Sequence, residues 1–173
     1  VGSKATSVGG KVSDLALNTV LIAGTANLAN LLDLRPGRAL KATVLVAAPL
    51  SYLSCAAAKT PASGASDAPS AKPVSPASAA SAQRLLASGL NAAAITALVE
   101  DLQETTMLGD TGANAAGALL GTSLAANDSW KLRLGTALGV VSLILASEKV
   151  SFSKVIAANP ALNWLDQLWR RPL

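Results

Sequence analysis

Long apolar runs alternate with short polar breaks along this chain. Residues 1–12 are rich in Gly, Ser and Lys and read as a polar lead-in. Leu15 to Leu32 then runs eighteen residues without a charge, within the roughly 17–25 needed to cross a bilayer core. Asp33-Leu34-Arg35-Pro36-Gly37-Arg38 follows, and its Pro-Gly step signals a turn. A second apolar stretch, Ala39 to Ala58, contains Lys41 near its start and Pro49, which membrane helices tolerate. Helical pattern resumes at Gln83 and ends in the acidic cluster Glu100, Asp101 and Glu104. Met107 to Asn114 opens a Gly/Ala-rich helix to about Ala126, and Leu134 to Ser147 is the last apolar run. In the tail, Val155, Ile156, Leu162, Trp164, Leu165, Leu168 and Trp169 alternate with Lys154, Asp166, Arg170 and Arg171. Trp with Arg suits a helix lying in the membrane interface, with Pro160 dividing it. The expected architecture is all-α: a polytopic membrane helical bundle of about five spans with a C-terminal interfacial amphipathic helix.

Four segments result. Residues 1–58 hold the lead-in and first helix hairpin, and 59–82 form a Pro/Ala/Ser linker with nothing to bury. Residues 83–150 carry the later helices, and 151–173 the tail. Five spans put the 33–41 loop, the 100–112 loop and the tail on one face. Lys and Arg divide seven against seven between the two sides, so the positive-inside rule sets no orientation. Gly117/Gly121 and Gly135/Gly139 are GxxxG pairs, which predicts close packing between the two helices that carry them.

Composition supports the lipid reading. Charged residues make up 14% and mean hydropathy is +0.43, whereas soluble domains average about 25% charged; an Ala-rich soluble bundle is the rival. The chain has no His and one Cys, Cys55. That removes Ser-His-Asp and Cys-His catalysis, internal disulfides and His-ligated metals, leaving oxygen donors of the kind Mg²⁺ takes. The basic residues form no run interleaved with aromatics, so no nucleic-acid partner is expected. No charged segment leads into an apolar stretch at the start, so no signal peptide is expected.

The chemistry gathers in two loops. Asn27, Asn30 and Asp33 fall at i, i+3 and i+6 on one helix strip, able to bind a metal–phosphate or a sugar, or simply to bond a neighbouring helix. Gly109-Asp110-Thr111-Gly112 puts a carboxylate where a helix begins, flanked by glycines that let a ligand approach. A phosphate bridged to Asp110 by Mg²⁺ fits, and so does a plain N-cap. Arg35, Arg38 and Lys41 are candidate phosphate contacts or markers of the membrane boundary. Glu100, Asp101 and Glu104 read as a solvated helix end, with a second metal ligand as the alternative.

N-L-A-N-L-L-D (Asn27 to Asp33) and M-L-G-D-T-G-A (Met107 to Ala113) together resemble two motifs of the polyprenyl-phosphate N-acetylhexosamine-1-phosphate transferases, the superfamily of phospho-N-acetylmuramoyl-pentapeptide transferase. The resemblance covers about residues 13 to 150. It implies Mg²⁺-dependent transfer of a sugar-1-phosphate from a UDP-sugar to a polyprenyl phosphate at the cytoplasmic face of a bacterial plasma membrane, in cell-envelope glycan synthesis. Asp110 and Asp33 would be the catalytic carboxylates, with Asp110 on the metal. Asn27, Asn30, Arg35 and Arg38 would bind substrate. The family's Asp-Asp pair and His-rich motif are missing from this sequence, and the family has about twice as many spans. The resemblance is thus to the C-terminal half. It leaves open whether the chain is an enzyme, with the missing half or a partner chain completing it, or a non-catalytic membrane partner or scaffold.

Overall fold

The computed structural model describes residues 7–57 and 79–170; most of the predicted linker, the start of the lead-in and Arg171 lie outside them. Seven helices and no strands occur among the described residues: α1 (Val8–Leu32), α2 (Arg38–Ala57), α3 (Ala79–Leu102), α4 (Gly109–Ala125), α5 (Trp130–Lys149), α6 (Phe152–Ala158) and α7 (Pro160–Gln167). The all-α expectation holds. Three helices are long and apolar enough to cross a membrane: α1, Ser81–Leu102 of α3, and α5, with mean hydropathies of 1.5, 1.4 and 1.3.

α1 starts earlier than the polar lead-in suggested. Ser7 caps it, its Oγ accepting from the Gly10 N–H at 3.1 Å. The helix also carries a buried charge, Asp14, which Arg133 of α5 neutralises at 2.8 Å while its other terminal nitrogen donates to Asn18 Oδ1 at 3.0 Å. That pairing lets a carboxylate lie buried at the start of the helix's apolar run. α3 likewise begins at Ala79, inside the stretch read as linker.

The tightest seam joins α1 to α4. A Cβ on Gly117 would strike the Thr25 carbonyl, the Ala26 Cα and the Ala29 methyl; one on Gly121 would strike Thr25, Leu21 and Ile22. The Thr25 hydroxyl lies in this seam, 2.8 Å from the Gly117 carbonyl. The Gly117/Gly121 pair therefore packs on α1 and not, as predicted, on the helix bearing Gly135 and Gly139. A Cβ on either of those two glycines would meet nothing within 4 Å. α5 instead touches α1 through Val140 and Ile144 against Gly24, and α2 and α3 pack together on the far side of α4. Ala47, Ala87, Leu90 and Leu120 join α2, α3 and α4 in one apolar cluster; Leu17, Leu21, Ala125 and Ala137 join α1, α4 and α5 in another.

Much of the remaining apolar surface points outward. On α5, Leu132, Leu138, Leu143 and Leu145 are all exposed, and only 17% of its apolar window is buried. Helices apolar on their outer faces are what a bilayer accommodates and water does not.

Candidate functional site

The chain rises through α1, descends through α2, and repeats this through α3 and α4, so the 33–37 turn and the 103–108 loop meet at one end of the bundle. α1 and α4 run antiparallel in a register that sets Ile22 against Gly121, Ala26 against Gly117 and Asp33 against Gly109. The expectation that both polar loops share a face is met, and the loops touch.

Asp101 makes that contact rigid. It is the penultimate residue of α3 and almost wholly buried, at 5% exposure. One oxygen accepts from the Gly37 N–H at 2.7 Å and the other from the Leu108 N–H at 3.2 Å. One carboxylate thus pins both loops, a role that the reading of Asp101 as part of a solvated helix end missed. Gly37 is held at φ +74 with the Leu102 side chain against it, a backbone conformation that strains any other residue.

Asp33 follows α1 as its C-cap. Its carboxylate accepts a hydrogen bond from the Gly109 backbone and lies within electrostatic reach of Asp101 and Asp110. Burial, then repulsion from Asp101, holds its pKa above the ordinary carboxylate value; the Gly109 N–H opposes this only in part. Such a carboxylate gains from a nearby cation. Asp110 lies in the first turn of α4, exposed, and does not cap the helix; the N-cap position is Leu108, with no side-chain cap bond. Gly109 adopts φ +65 with open space where a side chain would be, leaving the backbone approachable between the two carboxylates.

The other predicted residues divide. Asn30 is half-buried on the strip leading to Asp33, and its Oδ1 is shut off from solvent with no hydrogen-bond partner among the described residues. Asn27, a turn earlier, is exposed. Arg35 is exposed. Arg38 is buried and committed elsewhere: Nε and Nη2 grip the two carboxylate oxygens of Asp166 at 2.7 and 3.0 Å, and Nη1 donates to Ser153 Oγ at 2.9 Å. Lys41 donates to the carbonyls of Leu165 and Asp166 at 3.2 and 2.8 Å. These two cations dock α6 and α7 onto the start of α2. The tail is accordingly two helices: Pro160 opens α7, and Asn159 caps it by accepting from the Ala161 and Leu162 N–H groups. Asp166 faces the bundle while Trp164 and Trp169 face outward.

Among the described residues, no three His, Cys, Asp or Glu side chains are grouped to hold a metal ion. The donor set at the junction is two carboxylates, Asp33 and Asp110, with the Asn30 amide oxygen nearby in sequence. An all-oxygen set of this size is compatible with Mg²⁺, which commonly takes one or two protein carboxylates and completes its shell with water and phosphate oxygens. No protein-family model, no curated protein and no solved structure matches the chain.

Proposed function

We propose that the Asp33–Asp110 junction binds a Mg²⁺–diphosphate group, and that the chain is a glycosyl-1-phosphate transferase-like membrane protein acting from a UDP-sugar to a polyprenyl phosphate. The observation that carries this reading is the meeting of Asp33 with Gly109 and Asp110 across the α1–α4 seam. Two motifs far apart in sequence, each able to serve diphosphate chemistry, form one exposed, acidic, glycine-lined junction.

Phosphoryl transfer needs positioning and charge neutralisation more than covalent help from the protein. Bound Mg²⁺ would neutralise charge on the diphosphate. Asp110, exposed, and Asp33, charged at a cost, would hold the metal. The Asn30 amide would orient a polar group of the nucleotide or sugar. Arg35 is exposed on the turn and lies within electrostatic reach of Asp166 in the tail. Arg38 acts at one remove, by fixing the tail. On this reading the apolar helices make about five crossings of a bacterial plasma membrane, and α6–α7 lies at the interface on the cytoplasmic side in cell-envelope glycan synthesis.

A second reading, a non-catalytic membrane helical scaffold or partner subunit in cell-envelope biogenesis, is favoured by the missing Asp-Asp pair and by the absence of His. The deciding experiment is UMP release from UDP-sugars and polyprenyl phosphate by membranes carrying the natural gene product, with and without Mg²⁺. Release that Asp110→Asn abolishes supports the transferase; no release from folded protein with any UDP-sugar supports the scaffold.

A further inference from the structure

A cavity of about 210 Å³ lies between the end of α1, the start of α2 and the docked tail. Its walls are hydrocarbon: Leu32, Ala42 and Leu45 on one side, Ile156, Leu162 and Leu165 on the other. Leu45 and Leu162 are themselves 54% and 42% exposed, so the cavity opens through apolar side chains onto the outer surface of the bundle. Its polar lining is Arg38, Lys41 and Asp166. Arg170 adds a guanidinium 3.9 Å from Asp166, and Arg35 lies within electrostatic reach of the same carboxylate. Four cations thus surround one carboxylate beside a hydrocarbon slot. Asp166 occupies Arg38, and main-chain carbonyls occupy Lys41, but Arg35 is exposed and Arg170 is only loosely paired. Trp164 and Trp169 of the same tail are exposed at 66% and 74%, as suits aromatic rings at the level of lipid headgroups.

We infer that this cleft is a binding site for an anionic membrane phospholipid, whose acyl chain enters the apolar slot while its phosphodiester lies against Arg35 and Arg170. The two halves of the site match the two halves of such a molecule. The charge excess selects a negative headgroup, and the slot, lined almost wholly by carbon, rejects a free anion. The lipid joins α2 to α6–α7 beside the Arg38–Asp166 pair, which lines the same cleft. The inference does not depend on the transferase reading.

Tryptophan quenching by brominated lipids tests it. The full chain carrying Trp130→Phe, which removes the indole at the other end of the bundle, is placed in bilayers of phosphatidylcholine with added phosphatidylglycerol, one or the other brominated in its acyl chains. Brominated phosphatidylglycerol is expected to quench the tail tryptophans beyond its share of the bilayer. Arg35→Gln with Arg170→Gln should lower that preference roughly five-fold for each charge removed. Both side chains lie outside the core, so the double variant keeps the fold. Ala42→Leu, which narrows the slot, should weaken the quenching with all four cations in place. Inorganic phosphate should compete no better than chloride at equal ionic strength. Equal quenching by the two brominated lipids, an unchanged preference in the double variant, or displacement by phosphate alone would each overturn the assignment.

Discussion

Arg38 and Asp166 form a two-point ion pair, with Nε and Nη2 each on one carboxylate oxygen and both side chains nearly sealed from solvent, at 6% and 4% exposure. The pair joins the first turn of α2 to the penultimate residue of α7 and anchors the tail to the bundle.

Breaking one side of it should free the tail. Asp166→Ala leaves Arg38 buried without a counter-charge, a loss of roughly 3–5 kcal/mol for a pair of this kind. Limited proteolysis in membranes should then cut between α5 and α7, where the parent chain resists. Arg38→Met with Asp166→Leu, which removes both charges, should lose far less. Equal protease resistance in Asp166→Ala and the parent would show that the pair is not the anchor.

The pair also has a pH signature. Arg38, hydrogen-bonded to Asp166, is the main cause holding that carboxyl below its ordinary value of 3.8. A carboxylate with a depressed folded-state pKa contributes fully above the unfolded value and loses its contribution as pH falls through the folded one. Tail protection should therefore persist unchanged from neutrality down to about pH 3.8 and vanish only in stronger acid. Loss of protection between pH 5 and 7 would contradict this.

Asp33 behaves in the opposite sense. Burial and the neighbouring Asp101 raise its pKa above 3.8, so its ionisation opposes folding, and stability should gain as pH falls from above its folded value towards 3.8. Asp33→Asn removes that penalty while keeping an oxygen for the Gly109 N–H. The expected outcome is a variant no less stable to heat than the parent and without Mg²⁺-dependent UMP release. A variant that is both less stable and fully active would remove Asp33 from the proposed site.

The glycines provide a matched control. Gly117→Leu and Gly121→Leu force side chains into the α1 backbone, where overpacking costs about 1–3 kcal/mol or more. Gly135→Leu and Gly139→Leu, with nothing within 4 Å, should leave thermal stability unchanged. Comparable losses in both pairs would mean that α5 packs as tightly as α4.

Asp101→Ala should loosen both loops together. It strips acceptors from the Gly37 and Leu108 N–H groups, at about 1–3 kcal/mol for buried donors left unmet. Hydrogen exchange at those two amides should accelerate in parallel; acceleration at only one would break the link between the loops.

What the sequence disclosed and what it hid follows from the range of each interaction. The helices and the shared face of the two loops were legible, since charge-free length and turn residues are local and the alternation of crossings does the rest. The role of Asp101 is not legible, because a carboxylate at the end of an apolar helix has the same local pattern whether solvent or two backbone amides receive it. Gly117/Gly121 and Gly135/Gly139 have identical spacing, and only the assembled fold decides which pair meets a backbone. Arg38 and Asp166 are 128 residues apart, and no periodicity connects them. The early start of α1 was hidden because Asp14 reads as a boundary until Arg133 is seen to neutralise it.

Along the α1–α4 seam, Thr25, Ala26 and Ala29 meet Gly117 and Gly121 with almost no side chain between the two backbones. A contact without long side chains has no alternative rotamers to repack into, so neither helix can slide or roll against the other by small steps. Asp33, the C-cap of α1, and Gly109, the first residue of α4, lie about one and two turns beyond the seam, so their separation is fixed by it as by a ruler. Any motion around the junction must leave the distance between the two acidic loops constant.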